Sequence, residues 1–219
     1  MLLSGGWMHP VAQAGARLAD LVADHRFEVH LVEDPEEVAA AMSPSPELLV
    51  VDACWFSLGA ERYTETERAE FGVGRSPARE QALEAFVTTG GAVLALHTAV
   101  ICFDTWPRWG QLLGGSWNWA TSSHPPPAEI TVVPTTDGFG ESFAVVDELY
   151  GGLDVAPSST VVARARSGEP LAWVSGAHGG RVAVDLLGHD RRSFDSDGHL
   201  RLISALLGRL GPGTGAGAR

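Results

Sequence analysis

Residues 86–99 read FVTTGGAVLALHTA. Leu83, Phe86 and Val87 recur at helical spacing, and Gly90-Gly91 ends that helix, since glycine adopts the backbone that closes a helix at little cost. Ala92 to Leu96 is then continuously apolar and stops at His97. A short run with no polar face suits a strand covered on both sides, as in a parallel sheet. Helix, turn, buried strand and a polar residue at the strand's end make the repeating unit of an α/β fold.

The same grammar extends in both directions. Leu2 and Leu3 begin a first apolar run that stops at Ser4-Gly5-Gly6. Val11, Ala14, Leu18, Leu21 and Val22 recur as one face of a helix. Phe27 to Val32 alternates as a second strand, and Asp34-Pro35-Glu36-Glu37 reads as a helix start. Glu47 to Ala53 holds another unbroken apolar run, LLVVDA. Cys54 to Arg75 reads as a long loop with few core signals, and loops of that length are often functional. A helix is expected from Trp106 to Leu113, closed by Gly114-Gly115.

Beyond that point strands cluster: Glu129–Val133, Thr160–Ala165, Leu171–Val174 and Arg181–Leu187, then a terminal helix from His199 to Leu210. The expected architecture is α/β. It has a doubly wound, mostly parallel sheet with helices on both faces and antiparallel strands added in the C-terminal half. Residues 1–210 make one domain, and the tail 211–219, GPGTGAGAR, has nothing to bury and is expected to be disordered.

Composition narrows the partners. The 219-residue chain carries a formal charge of −12. It therefore repels phosphate backbones and anionic lipid, which argues against nucleic acid and membrane. A neutral small molecule is unaffected, and a homo-oligomer is left open. No basic, then apolar leader opens the sequence, and no stretch reaches the ~20 apolar residues of a membrane span. Cytoplasm is the default expectation. The two cysteines, Cys54 and Cys102, are too few for a disulfide framework.

In open α/β sheets ligands sit beyond the carboxyl ends of the strands. The polar residues ending apolar runs are thus the first candidates. His97 ends AVLAL where a nucleophile would stand in a hydrolase, yet no Ser or Cys accompanies it. His189 ends VAVDLLGH. His124 lies in the loop SSHPPP. Glu148, in the cluster DELY at 147–150, could serve as base, metal ligand or hydroxyl acceptor. The plain alternatives are a helix-capping His, a solvated loop His, and acids that cap neighbouring amides. Of the seven tryptophans, Trp117 and Trp119 fall between loop signals and suit a pocket wall. His25 and His30 read as surface, His9 could face the site, and His178 and His199 carry no positional signal. Neither GxGxxG nor GxxxxGK[ST] occurs, so no nucleotide cofactor is expected.

Taken together, LLSGG, FVTTGGAVLALHTA, WGQLLGGSW, SHP, DELY and PLAWVSGAHGGRVAVDLLGH, in this order, resemble the trehalose-utilisation (ThuA-like) family. The resemblance implies a flavodoxin-like fold similar to class I glutamine amidotransferases, with the amidotransferase Cys replaced here by His97. It implies a carbohydrate-related role, with some members acting on 3-keto-glycosides. It points to His97, His124, Glu148 and His189, with Trp109 and Tyr150 beside them. Family members often carry a second His-Pro before DELY, and residues 134–146 have none.

The expectation is therefore an enzyme, a glycoside or keto-sugar hydrolase or lyase and not a glutamine amidotransferase. Its catalytic groups are His97, Glu148 and His189, with Glu148 or His97 as base and His189 as acid. Trp109, Trp117, Trp119 and Tyr150 contact the sugar. A divalent metal such as zinc, held by His97, His124 and His189, is the metal-assisted version. The rivals are a non-catalytic sugar-binding or regulatory domain, and an amidase using Cys102 or Cys54.

Overall fold

The computed structural model describes residues 1–7 and 28–211. The helix expected over Val11–Val22, residues His9, His25 and Phe27, and the tail 212–219 lie outside the described residues.

The apolar runs form the strands. β1 (Leu2–Gly6), β2 (Leu31–Val32), β3 (Leu48–Cys54), β4 (Ala92–Leu96) and β11 (Arg181–Asp185) pair in parallel, in the order β2-β1-β3-β4-β11. The remaining strands of the sheet are antiparallel: β10 (Pro170–Ser175), β9 (Thr160–Ala165), β6 (Ala128–Pro134) and β7 (Phe143–Asp147), added in that order beyond β11. A short separate pair joins β5 (Gly115–Ser116) to β8 (Asp154–Val155). The parallel half has the strand order of a doubly wound flavodoxin-like sheet.

Side chains alternate across β3, so two cores form. Leu48 and Val50 join Leu202, Ile203 and Leu206 on one face. Leu49 and Val51 join Leu83, Val87 and Trp109 on the other. The first face is covered by α6 (Asp197–Leu210) and the second by α3 (Pro77–Thr88) and α4 (Arg108–Leu113). The remaining helices are short: α1 (Val38–Ala41), α2 (Glu65–Phe71) and α5 (Arg191–Phe194).

Two elements differ from expectation. The segment Cys54–Arg75 is not a bare loop: it buries Trp55, Phe56 and Leu58, and it contains α2. That helix starts with a capping box, in which Thr64 and Glu67 satisfy each other's amides. The second addition is β7, the far edge of the sheet. It packs on α6 so closely that a Cβ at Gly198 would meet Phe143 at 2.3 Å. Only glycine permits that approach, and the sheet thereby curls its last strand back toward the end of β11.

Candidate active site

His97 is placed by the turn that leaves β4. It begins a short 3₁₀ turn, His97–Val100, with φ +46. A left-handed backbone is costly for a non-glycine residue and is found where surrounding contacts enforce it. Those contacts are present. The Thr98 hydroxyl donates to Ala53 O at 2.7 Å, and the Trp109 indole N–H donates to Ala99 O at 2.9 Å. His97 Nδ1 lies 2.9 Å from Leu186 O, and a carbonyl only accepts, so this nitrogen carries the proton.

Glu148 and His189 are placed by one carboxylate. Asp147 ends β7 fully buried, and it accepts the amides of Glu148 at 2.7 Å, Gly188 at 2.7 Å and His189 at 3.3 Å. The strand at the sheet's far edge is thus tied to the turn after β11. His124 arrives from a third direction. Ser123 and Gly151 exchange backbone hydrogen bonds at 3.1 and 2.9 Å, and Ser122 and Thr121 donate their hydroxyls to Gly152 O. Gly152 has φ +69, and a Cβ there would meet Thr121 O at 2.3 Å.

The result is a carboxylate surrounded by imidazoles. Glu148 Oε1 lies 3.2 Å from His124 Nδ1 and 3.3 Å from His189 Nε2, and Oε2 lies 3.5 Å from His97 Nε2. Tyr150 O–H reaches His97 Nε2 at 3.0 Å. Behind His189, Nδ1 faces Asp190 Oδ2 at 3.2 Å. Accessibility is graded: the side chains of His97 and Glu148 are 1% and 8% exposed, His189 22% and His124 39%. The cluster therefore opens to solvent on the His189 and His124 side.

Electrostatics couple these groups. Burial alone would lower the His97 pKa, but the Glu148 hydrogen bond, the Asp147 charge and the Leu186 carbonyl outweigh it, and the net shift is upward. Burial would raise Glu148, yet His97, His189 and His124 together hold it below its ordinary value. The carboxylate is thus kept ionised in a nearly dry setting. Burial holds the Tyr150 phenol well above its usual range, so it stays a proton donor. Asp190 is pulled down to about 2, chiefly by its hydrogen bond to Arg192.

The trehalose-utilisation family model, ThuA, matches residues 1–205. The chain belongs to the ThuA family. Among solved structures it is similar to a ThuA-like protein from Parabacteroides merdae at 18% identity and TM-score 0.71, covering 96% of this chain and 90% of that one. A ThuA-like protein from Bacteroides uniformis matches at 14% identity and TM-score 0.72, covering 95% and 89%. A glutamine amidotransferase from Thermotoga maritima shares the fold at 13% identity and TM-score 0.51, covering 95% and 94%. No curated protein sequence matches the chain.

In this ThuA chain four of the expected residues, His97, His124, Glu148 and His189, meet at one point, with Tyr150 against them. Trp117 also belongs to the site, its ring 5.2 Å from Tyr150 and 6.1 Å from His124. Trp119 is 6.1 Å further out and 44% exposed. Trp109 is a correction. It is 1% exposed, stacked with Trp106 in the core, and supports the His97 turn rather than facing a ligand. An apolar ring with one donor fits a core as well as a pocket wall, and spacing did not separate them.

Three functional neighbours escaped sequence reading. Asp147 and Asp190 had no assigned roles, although each sits beside a candidate. Asp52 closes the apolar run LLVVDA. It is buried, its Oδ2 has no hydrogen-bond partner among the described residues, and burial pushes its pKa up to about 7 against the pull of His97.

Thiol chemistry does not fit this ThuA site. Cys54 and Cys102 are both buried, and burial pushes the first up to about 12 and the second well above its ordinary value. One nitrogen of each imidazole stands 3.2–3.5 Å from a Glu148 oxygen, and His97 Nε2 also meets Tyr150 at 3.0 Å. Among the described residues, no group of three or more His, Cys, Asp or Glu is arranged to hold a metal ion. The donor set is joined by ion pairs from Glu148 to the three imidazoles and by the Tyr150–His97 hydrogen bond. A cavity of about 630 Å³ lies elsewhere, beside Met1, His30 and Pro44, and shares no lining residue with the cluster. Among the described residues no helix is long and apolar enough to cross a membrane.

Proposed function

We propose that this ThuA protein is an enzyme that cleaves a glycosidic bond in a keto-sugar by paired acid–base chemistry. The single observation that carries the reading is the position of Glu148. Its carboxylate is held ionised within 3.5 Å of three imidazoles, and two of them, His189 and His124, face solvent.

A carbonyl one carbon away from the anomeric centre acidifies the C–H between them. Glu148 takes that proton. The C–H electron pair forms the new carbon–carbon double bond, the anomeric C–O bond breaks, and His189 gives its Nε2 proton to the departing oxygen. Asp190 holds the other ring nitrogen of His189 and fixes its orientation. His97 is deeper than Glu148 and acts through it as a positioning residue, by keeping the carboxylate charged. Tyr150 fixes His97 from the opposite side.

The substrate is a neutral small molecule, which the charge of −12 favours over phosphorylated or nucleic-acid ligands. Turnover of a 3-keto-glycoside by the wild-type chain and by Glu148→Gln tests the assignment. General acid–base catalysis is worth about 10²–10⁴-fold, and the variant should lose that much in kcat. Unchanged turnover would sink the assignment. A non-catalytic sugar-binding domain is the second reading, favoured by the buried thiols and by His97 standing where a nucleophile would.

A further inference from the structure

Ser193, His199 and Asp185 are joined in a buried row behind the cluster. His199, in α6, has Nε2 3.1 Å from Asp185 Oδ2 at the end of β11. Its Nδ1 donates to Ser193 O in α5 at 3.0 Å and stands 2.9 Å from Ser193 Oγ. Ser193, His199 and Asp185 are each 0% exposed. Serine, histidine and aspartate are the members of a hydrolytic triad, but no substrate reaches a hydroxyl buried this completely. Both ring nitrogens face acceptors, so the ring is held as an imidazolium. Burial opposes that charge, and Asp185, together with Asp147 at the end of β7, outweighs it.

The two partners of His199 stand at the two ends of one segment. Asp185 precedes it, Ser193 follows it, and Leu186 to Arg192 lie between. That segment orients much of the cluster. Leu186 O accepts the Nδ1 proton of His97 at 2.9 Å. Asp185 Oδ1 accepts the Leu187 amide at 3.1 Å. His189 faces Glu148, and Asp190 both meets His189 Nδ1 at 3.2 Å and accepts the Arg192 amide at 2.8 Å, at the start of α5. Phe194, also 0% exposed, lies 5.4 Å from the His199 ring, and a Cβ at Gly188 would stand 3.2 Å from its Cζ. The segment is thus closed into a loop by a buried cation and seated on a buried ring.

We propose that His199 is a positioning residue for the candidate site: by clamping Asp185 to Ser193 it sets where His189 and His97 stand relative to Glu148. Asp147 holds only the middle of the segment, the Gly188 and His189 amides, and both ends are left to His199. His124 is outside the clamp, because the Ser123–Gly151 bridge places it from another direction. Loss of the clamp therefore moves two imidazoles of the cluster and spares the third. The kinetic consequence rests on the reading of Glu148 and His189 as base and acid; the placement of the rings does not.

The experiment compares the assigned imidazole carbon–proton signals of His97, His124 and His189 in the wild-type, His199→Gln and Ser193→Ala chains near neutral pH. Thermal midpoints are measured alongside, with kcat and KM on a 3-keto-glycoside. In His199→Gln the His97 and His189 signals should shift while His124 stays. On the acid–base reading, kcat per folded chain should fall by up to about 10²-fold with KM little changed, the cost of misplacing a reacting group by about 1 Å. Ser193→Ala keeps the carbonyl acceptor and should show the same pattern more weakly, and it carries the test if His199→Gln does not fold. Unmoved signals overturn the proposal, because the segment then holds itself. Equal shifts of all three rings with a lower midpoint overturn it too, because His199 then only stabilises the fold. Turnover that survives Glu148→Gln defeats the catalytic reading separately, and the ring signals still decide the clamp.

Discussion

Gly188 donates its amide to Asp147 Oδ2 at 2.7 Å, which joins the edge strand β7 to the turn that carries His189. Glu148 and His189 follow different strands, and this bond holds the two together. Asp147 is fully buried and also accepts the Glu148 and His189 amides. Asp147→Ala strands these donors, and an unsatisfied buried group costs about 1–3 kcal/mol. The variant should unfold at correspondingly lower urea and lose activity, while Asp147→Asn, which keeps one acceptor oxygen, should lose less of both. Urea melts paired with kcat measurements check this, and an unchanged midpoint in the alanine variant would refute the tie.

His199 gives the fold a pH dependence of predictable sign. It is completely buried, with Nδ1 on Ser193 O at 3.0 Å and Nε2 on Asp185 Oδ2 at 3.1 Å, so both nitrogens donate. Burial would lower its pKa, but the Asp185 charge and hydrogen bond outweigh that and the net shift is upward from 6.5. A raised folded pKa means the stabilisation is fully present below the unfolded value and is lost as pH rises through the folded one. Unfolding midpoints should therefore fall as pH rises above about 6.5. His199→Gln should flatten that fall and cost about 3–5 kcal/mol near neutral pH, because it leaves Asp185 buried without its partner. The slope that remains includes His97 and Asp52, whose pKa values are both raised. An identical slope in wild type and variant would remove His199 from this account.

Much of this architecture is legible in the residues. β3, β4 and β11 announce themselves as unbroken apolar runs because both of their faces are covered. β7 was missed because only Val145 and Asp147 of its five residues are buried, which leaves an edge strand without clear alternation. His97 and His189 were visible because they end apolar runs at strand ends. His124 carried no such signal. Its position depends on the Ser123–Gly151 bridge, and the partner of that bridge lies 28 residues along the chain. Which tryptophan faces a ligand was equally hidden. Trp109 and Trp117 share composition and neighbourhood, and only packing sends one into the core and leaves the other against Tyr150.

The thiols offer a control on the amidase alternative. Cys102 donates to Ala53 O at 3.0 Å and accepts the Trp55 amide at 3.4 Å. Both cysteines are buried with raised pKa values, so neither forms thiolate near neutral pH. Iodoacetamide should leave the native chain unmodified by mass and unchanged in activity, and it should label both thiols once the chain is unfolded in urea. Stoichiometric labelling of the native chain with loss of activity would restore a thiol mechanism.

Removing metal tests the hydrogen-bonded reading of the cluster most directly. A zinc site built from these side chains requires nitrogens about 2.0–2.1 Å from one shared ion. Two donors at that distance from one tetrahedral ion stand about 3.3 Å from each other, so the 3.2–3.5 Å between each nitrogen and a Glu148 oxygen leaves the decision to the metal content. On the acid–base reading, untagged protein dialysed against a chelator should keep its turnover, and inductively coupled plasma mass spectrometry should find well under one metal per chain. The opposite result, one zinc or manganese per chain with activity lost on chelation and restored by the ion, would mean that the imidazoles re-aim from Glu148 to a metal. His97, His124 and His189 would then hold the ion, which would supply Lewis-acid chemistry at this site. Glu148→Gln separates the cases a second way: it abolishes the network's anion but leaves the imidazoles in place, so only in the metal case should the variant still retain a chelatable ion.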